Sequence, residues 1–286
     1  MQSLSRVKRR INTVQSTRKI TNSMKLVSSV KLRKLTKFLE SEELYFTSMD
    51  RVINDALFEN KNYLNNKVSS PYLSVYPNAT KTLYIVVTSN TGLCAGYNAN
   101  IFKFFKDFYK KGDEVILIGE KSYAYFRHDK ELVTYNDFIK INTGFDYAKA
   151  RLLAKFALNK FGSGNYKSVN IIYTKYINSL VAKPENIQIL PYLPSENPRY
   201  HYEPIYEPGK QEVVDYAIPL YIASKVYYYL YISFISEESS RRNAMDNADR
   251  NAKELVDELK LEYNKARQAE ITQQITEVTS GSMAVK

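Results

Sequence analysis

Few side chains in this 286-residue chain are of types that carry chemistry at a distance from water. Cys94 is the sole cysteine, and His128 and His201 are the only histidines. Those counts exclude a disulfide framework, a four-cysteine metal centre and a multi-histidine zinc site. The stretch Thr88-Ser89-Asn90-Thr91-Gly92-Leu93-Cys94-Ala95-Gly96 lies between a predicted strand and a predicted helix, where phosphate-binding loops also lie. It matches neither GxGxxG nor the GxxxxGKS/T pattern, because its glycines are too few and no lysine follows Gly96. The loop therefore reads as a structural turn around Gly92, Cys94 and Gly96 that brings helix and strand close together. Cys94 has no histidine near it in sequence and reads as a buried structural thiol. His128-Asp129 has no nucleophile-elbow serine to complete a triad and reads as a surface pair. Asp246, Asp249, Glu254, Asp257, Glu258 and Glu262 alternate with Arg241, Arg242, Arg250, Lys253, Lys260 and Lys265, the pattern of a solvated helix laced with i,i+4 pairs. The residues alone supply no catalytic set, no cofactor site and no metal site.

The elements around these residues are legible from the helix breakers. All nine prolines lie between Pro71 and Pro219, and eight of nine glycines lie between Gly92 and Gly209. Residues 1–70 and 220–280 hold neither, so each predicts one very long helix, roughly 105 Å and about 90 Å if fully helical. Apolar residues recur at steps of 3 and 4. Leu4, Val7, Ile11 and Val14 open the first helix, Ile20, Met24 and Val27 follow in a shifted phase, and Leu32, Leu35, Leu39, Glu42, Phe46, Met49, Ile53 and Ala56 form a third register. Met245, Ala248, Ala252, Leu255, Leu259, Glu262, Ala266 and Ala269 continue the pattern at the other end. This is the seam of a coiled coil with many small or polar residues in it. A helix at each end of one chain, joined through an insert, predicts an antiparallel pair.

The insert reads as a small α/β layer with a mainly parallel sheet. Strands are expected at 82–89, 114–118 and 168–173, with a short edge strand at 187–190. Helices are expected at 100–110, from Tyr123 and at 147–161. The domain organisation is then 1–70 as an N-terminal coiled-coil helix, 71–209 as an α/β domain, and 210–286 as a C-terminal coiled-coil helix. Five prolines make residues 191–209 a linker. Pro219 is expected to start or kink the second helix.

Composition narrows the class. At 44% hydrophobic and 25% charged the chain is globular rather than disordered. It carries no membrane-length apolar run and no apolar stretch behind its basic N-terminus, which points to a soluble chain in a reducing compartment. The net charge of +11 sits in one place. Residues 1–39 hold eleven basic side chains and no acidic one, which leaves 30 of the 41 basic residues to match the 30 acidic ones. Such a helix suits a solvated face, an acidic protein partner, duplex nucleic acid or an anionic membrane surface. Basic and heptad positions overlap here, unlike in a basic zipper, and the large aromatic face of a membrane anchor is missing.

Four separate stretches resemble the gamma subunit of rotary F1-type ATP synthases. Ser3-Leu4, Lys8-Arg9-Arg10-Ile11, Val14, Thr17, Lys19-Ile20-Thr21, Met24, Val27 and Lys31-Leu32-Arg33 resemble its N-terminal helix. The loop TSNTGLCAGYNAN at 88–100 is similar to its TSDRGLCGGYNSN. Tyr206-Glu207-Pro208 resembles its YEP turn, and Met245-Asp246-Asn247-Ala248, YNKARQ at 263–268 and Ile271-Thr272-Gln273 resemble its C-terminal helix. The resemblance implies a central rotating shaft, one copy per complex, inside a hexamer of three alpha and three beta subunits. Those partners would bind ATP or ADP with magnesium, and this chain would have no active site. It implies an epsilon-type subunit and a membrane rotor ring, or a substitute load, at the foot. It also implies a peripheral complex on the cytoplasmic side of the cell membrane, with no membrane insertion and no nucleic acid bound. Met24 and Lys25 are expected near an acidic loop of beta, Arg267 and Gln268 on a loop of beta at the neck, and Ile271, Ile275 and Val278 in an apolar collar.

The sequence departs from the family pattern at several places. Asn90-Thr91 replaces Asp-Arg, Ala95 replaces a glycine, Arg6 stands where an acid is common, and Pro219 interrupts the helix start. Tyr227, Tyr228, Tyr229, Tyr231 and Phe234 are either lobe packing or a surface for an unusual partner. The alternatives at this point are a specialised F1-like ATPase driving another load, a basic coiled-coil nucleic-acid-binding protein, and an enzyme built on the Gly92 loop.

Overall fold

The computed structural model describes residues 4–57, 70–142, 145–193 and 205–284. His201 and most of the proline-rich linker lie outside them, as does the end of the expected N-terminal segment. The contact pattern separates two compact units, Met1–Val30 with Arg241–Lys286, and Lys31–Ser240. Both long helices, α1 (Leu4–Leu57) and α5 (Lys210–Ala284), contribute to both units. The boundaries drawn from sequence at 70 and 210 instead separate helix from lobe.

The first unit is a helical pair. Arg18 on α1 meets Asp249 on α5 at 3.1 Å, and Lys25 meets Asp246 at 2.7 Å. Moving up α1 moves down α5, so the helices are antiparallel. Burial on α1 falls at Leu4, Val7, Ile11, Val14, Arg18, Thr21, Lys25 and Ser28, an unbroken alternation of 3 and 4. The phase shift read through Ile20, Met24 and Val27 is therefore corrected. Ile20 is 61% exposed and Val27 56% exposed, while Met24 is half-buried at the edge of the seam. The seam keeps its register by accepting polar residues, which is why a hydrophobic pattern misses it. On α5 the inward positions run Met245, Ala248, Asp249, Ala252, Leu255, Val256, Leu259, Tyr263 and Ala266. Glu262 and Ala269, read as seam residues, are exposed.

The second unit holds a five-stranded sheet in the order β3-β2-β1-β4-β5. The strands are β1 (Lys81–Val87), β2 (Glu114–Ile118), β3 (Val133–Tyr135), β4 (Tyr166–Tyr176) and β5 (Ala182–Leu190). β1 pairs in parallel with β2 and β4, β2 pairs in parallel with β3, and β5 closes the edge antiparallel to β4. The helices are α2 (Tyr97–Phe108), α3 (Glu120–Phe126) and α4 (Tyr147–Gly162). Strand residues alternate between faces. Leu83, Ile85, Ile116 and Ile171 pack against α4 and against Ile218, Ile222 and Val226 of α5. Tyr84, Val86, Val115 and Leu117 pack on the other face against Ile101 and Phe105 of α2 and Phe126 of α3. β3 escapes a reading by sequence because it is three residues long and partly exposed. β5 starts five residues before the expected strand and tolerates Pro184 because it lies at an edge.

Within this unit the helices again run antiparallel, with Lys31 paired to Glu238 at 3.3 Å and Tyr221 donating to Asp50. α5 begins at Lys210 and passes through Pro219, correcting the expectation that it starts there. Buried Val214, Ile218, Tyr221 and Ile222 hold the helix on the core, so losing the one ladder bond at proline does not end it. The tyrosine-rich stretch is lobe packing. Tyr227, Tyr231 and Phe234 are buried, Tyr227 stacks on Phe145 at 5.0 Å and Tyr228 on Phe46 at 4.7 Å.

Candidate functional site

Three places were marked by sequence, and the structure treats each differently. The Thr88–Gly96 loop joins β1 to α2. Its backbone enters the left-handed region at Leu93 and Ala95, with φ of 64° and 49°, not at its glycines. A Cβ added at Gly92 or Gly96 meets only side-chain atoms, at ordinary contact distances. The close approach expected at those glycines falls instead at Gly119, just past the end of β2. There φ is 92° and a Cβ would lie 2.6 Å from the Thr88 carbonyl carbon and closer still to its oxygen. Thr88 ties the two strand ends together, donating to the Ile118 carbonyl at 2.8 Å and accepting from the Ser122 amide at 2.9 Å.

Cys94 is buried and unbonded to any other sulfur. Around it stand Ser89 and Asn98, with Asn98 Nδ2 donating to Ser89 Oγ at 2.8 Å and Asn98 Oδ1 accepting from the Ser89 amide at 3.0 Å. Among the described residues the thiol is met by Ser89 and Asn98 and by no base, so the group holds a loop rather than a nucleophile. His128 and Asp129 are exposed. Among the described residues no group of three or more His, Cys, Asp or Glu could hold a metal, and no helix is long and apolar enough to cross a membrane.

The sheet order places a reversal of winding between β1 and β4, where doubly wound folds hold a ligand at the carboxyl ends of their strands. Here α5 fills that mouth. Ser233 Oγ lies 2.8 Å from Tyr97 Oη and accepts from the Thr174 amide at 3.3 Å, and Ser236 donates to the Thr174 carbonyl at 2.8 Å. Burial above all, and then Glu237, raises the Tyr97 pKa, so the phenol stays a neutral donor. The crevice is occupied by protein.

What remains open to a partner is the helical pair. From Arg267 to Met283 every residue of α5 is exposed, because α5 runs on past the residues that α1 covers. Arg267 and Gln268 open this stretch. Ile271, Ile275 and Val278, at steps of 4 and 3, share one face and are 46%, 62% and 74% exposed. Lys25 is less free than sequence suggested. Its ammonium pairs with Asp246, whose carboxylate also accepts from Arg250 and is held below its ordinary pKa by those two hydrogen bonds. Met24 and Lys25 thus sit beside the mid-coil ion pairs, and Arg267 to Val278 form a second, separate group further along α5. Sequence reading missed Arg18 and Asp249 as a pair. An uninterrupted heptad count through polar residues would have found them.

An antiparallel helical pair in which one helix overruns the other suits a mechanical class of protein: a stalk turned or braced by others. The ATP synthase family model matches residues 3–285. The ATP synthase gamma chain of Mycoplasma mobile is 38% identical over 292 residues, covering 99% of both chains, and that of Mesoplasma florum is 34% identical over 290 residues, covering 100% of this chain and 99% of its own. The rotor of the Euglena gracilis mitochondrial ATP synthase matches with a TM-score of 0.65 at 16% identity, over 94% of this chain and 98% of that one. The central stalk and c-ring structure from Tetrahymena thermophila gives 0.57 at 25% identity, over 80% and 99%. The chain belongs to the ATP synthase gamma chain family, and its role is that of the central rotor shaft coupling ATP turnover to rotation. The readings as another load's shaft or as a nucleic-acid-binding protein are not favoured by these relatives.

Proposed function

We propose that the chain transmits torque without doing chemistry of its own, and that it is gripped at two places on its helical pair. The observation that carries this is the α5 overhang, exposed on every side from Arg267 to Met283 and bearing one apolar stripe. Ile271, Ile275 and Val278 turn inside an apolar collar formed by the alpha and beta subunits. Arg267 and Gln268 offer hydrogen bonds to a beta loop just below it. The stripe is narrow and its side chains are aliphatic, so no single orientation is bound deeply enough to stall rotation.

Further down, the uncompensated cations of α1 face acidic beta loops. Arg6, Lys8, Arg9, Arg10 and Lys19 are all exposed. A long-range attraction of this kind varies gently with angle and is weakened by salt. Each beta subunit closing on nucleotide pushes the shaft sideways, so nucleotide state and shaft angle bias one another. ATP, ADP and magnesium belong to the partner subunits. The α5 helix occupying the sheet mouth supports the absence of a nucleotide site there. The lobe meets an epsilon-type subunit and the membrane rotor ring, in a peripheral complex on the cytoplasmic side.

Co-expression with its own alpha and beta subunits tests this. The chain should purify in the proportion of one to three to three, the complex should hydrolyse ATP, and the isolated chain should hydrolyse none. A chain that stays apart from alpha and beta, or that turns over ATP alone, refutes the proposal.

A further inference from the structure

Between α4 and the early part of α5 lies a cleft of about 360 Å³ that neither the coil nor the sheet mouth uses. Its floor is apolar, made by Leu158 on α4 and by Pro219 and Leu220 on α5. Arg151 and Lys155 stand at its rim, one helical turn apart, so both can converge on a single oxyanion. Both are exposed, and neither is held in an ion pair among the described residues. Tyr72, half-buried, and Tyr216, 78% exposed, form aromatic walls. Asn159 and Asp215 complete the lining, and Asp215 accepts a hydrogen bond from Gln211 Nε2 at 2.9 Å.

Pro219 adds a separate mark. Proline has no amide hydrogen, so the Asp215 carbonyl four residues earlier lacks its i+4 donor. Both residues line the cleft. An acceptor without its helical donor therefore belongs to the same stretch of wall, next to a carboxylate. Cations, apolar floor and paired acceptors together describe a ligand with three distinct parts.

We infer that this cleft binds a small phosphate ester. Its phosphate sits on Arg151 and Lys155, its compact apolar or aromatic body lies over Leu158, Pro219 and Leu220 between the tyrosines, and a hydroxyl donates to Asp215. The volume is at the lower end of small-ligand sites, which suits a headgroup or a phosphorylated metabolite. The same chemistry comes from two sources, a phospholipid headgroup or a soluble phosphate ester.

The chain has no tryptophan, so Tyr216→Trp puts a lone indole reporter on the cleft wall. The full-length variant is titrated with dihexanoyl phosphatidylglycerol below its micelle concentration, and with glycerol 3-phosphate. Calorimetry on the unsubstituted chain with both probes checks that the tryptophan has not made the site. Saturable binding of the lipid alone assigns the headgroup, and saturable binding of both assigns the soluble ester. In either case Arg151→Gln with Lys155→Gln weakens binding at least about tenfold at an unchanged melting temperature. No saturable signal from either probe, or equal affinity in the double variant, overturns the inference. The cleft shares no residue with the seam of the first unit or with the overhang. A chain that assembles and turns but takes up neither probe therefore sinks the cleft and leaves the rotor role standing.

Discussion

Replacing Leu259 and Ile271 by alanine, one at a time, separates what holds the shaft together from what it offers to its partners. Both are large aliphatic residues on α5, three turns apart. Leu259 is 3% exposed in the seam, whereas Ile271 is 46% exposed on the overhang. Burying a leucine and then truncating it costs about 2–5 kcal/mol, the spread reflecting how completely the neighbours surround it. A two-helix seam surrounds a side chain on fewer sides than a globular core, which places Leu259→Ala near about 2–3 kcal/mol. That is about 30- to 140-fold in the opening equilibrium of the coil. Amide hydrogen exchange over residues 4–14 and 252–266 reads it directly, since local opening there need not unfold the lobe. Ile271→Ala should leave exchange in these segments unchanged and instead weaken assembly with alpha and beta subunits. Unaltered exchange in Leu259→Ala, or loss of coil protection in Ile271→Ala, would show that the seam has been placed on the wrong residues.

Three further outcomes follow from the second unit. Gly119→Ala forces a side chain onto the Thr88 backbone at a φ of 92° and should lower stability by about 3–5 kcal/mol in urea denaturation; a loss under about 1 kcal/mol contradicts the geometry. Ser233→Ala strips a buried partner from Tyr97 and from the Thr174 amide and should cost about 1–3 kcal/mol, more than Ser236→Ala, by the same measurement. Burial pushes the Glu114 carboxyl up, but hydrogen bonds from Tyr135 and Tyr166, both 2.6 Å, and the neighbouring Lys81 outweigh it and leave the pKa lowered. The stabilisation from that lowering is complete above the ordinary carboxylate value of 4.5 and is lost as pH falls through the lowered one. Melting curves of wild type and Glu114→Gln should therefore converge toward acid pH; a constant gap from pH 7 to pH 3 would refute the assignment.

Sequence carried the architecture because helix breakers and β-branched runs are local signals. β2 ends at Ile118 because Gly119 must follow, and the helices run long where neither glycine nor proline occurs, over 4–57 and 220–280. The errors share a cause. The α1 seam through Arg18, Thr21, Lys25 and Ser28 is set by what lies opposite on α5, and a polar residue carries no periodic mark of its own. The helix begins at Lys210, the boundary drawn from sequence, and passes the Pro219 start also weighed there through packing that only the fold supplies. The contact of Tyr97 with Ser233 joins residues 136 positions apart, beyond the reach of any motif. The residues proposed to face partners were legible only by resemblance. Exposure of Ile271, Ile275 and Val278 says that they are free, while their spacing alone fits a core helix equally well.

The serine contacts at the mouth of the sheet have a mechanical meaning. A wheel slips on a smooth axle and needs a key cut into both to carry load. Tyr97 and Thr174 on the lobe side, with Ser233 and Ser236 on the helix side, are that key. They are buried and directional, so they resist sliding of the helix against the lobe. A fold suited to holding a ligand has had its slot given over to its own spindle.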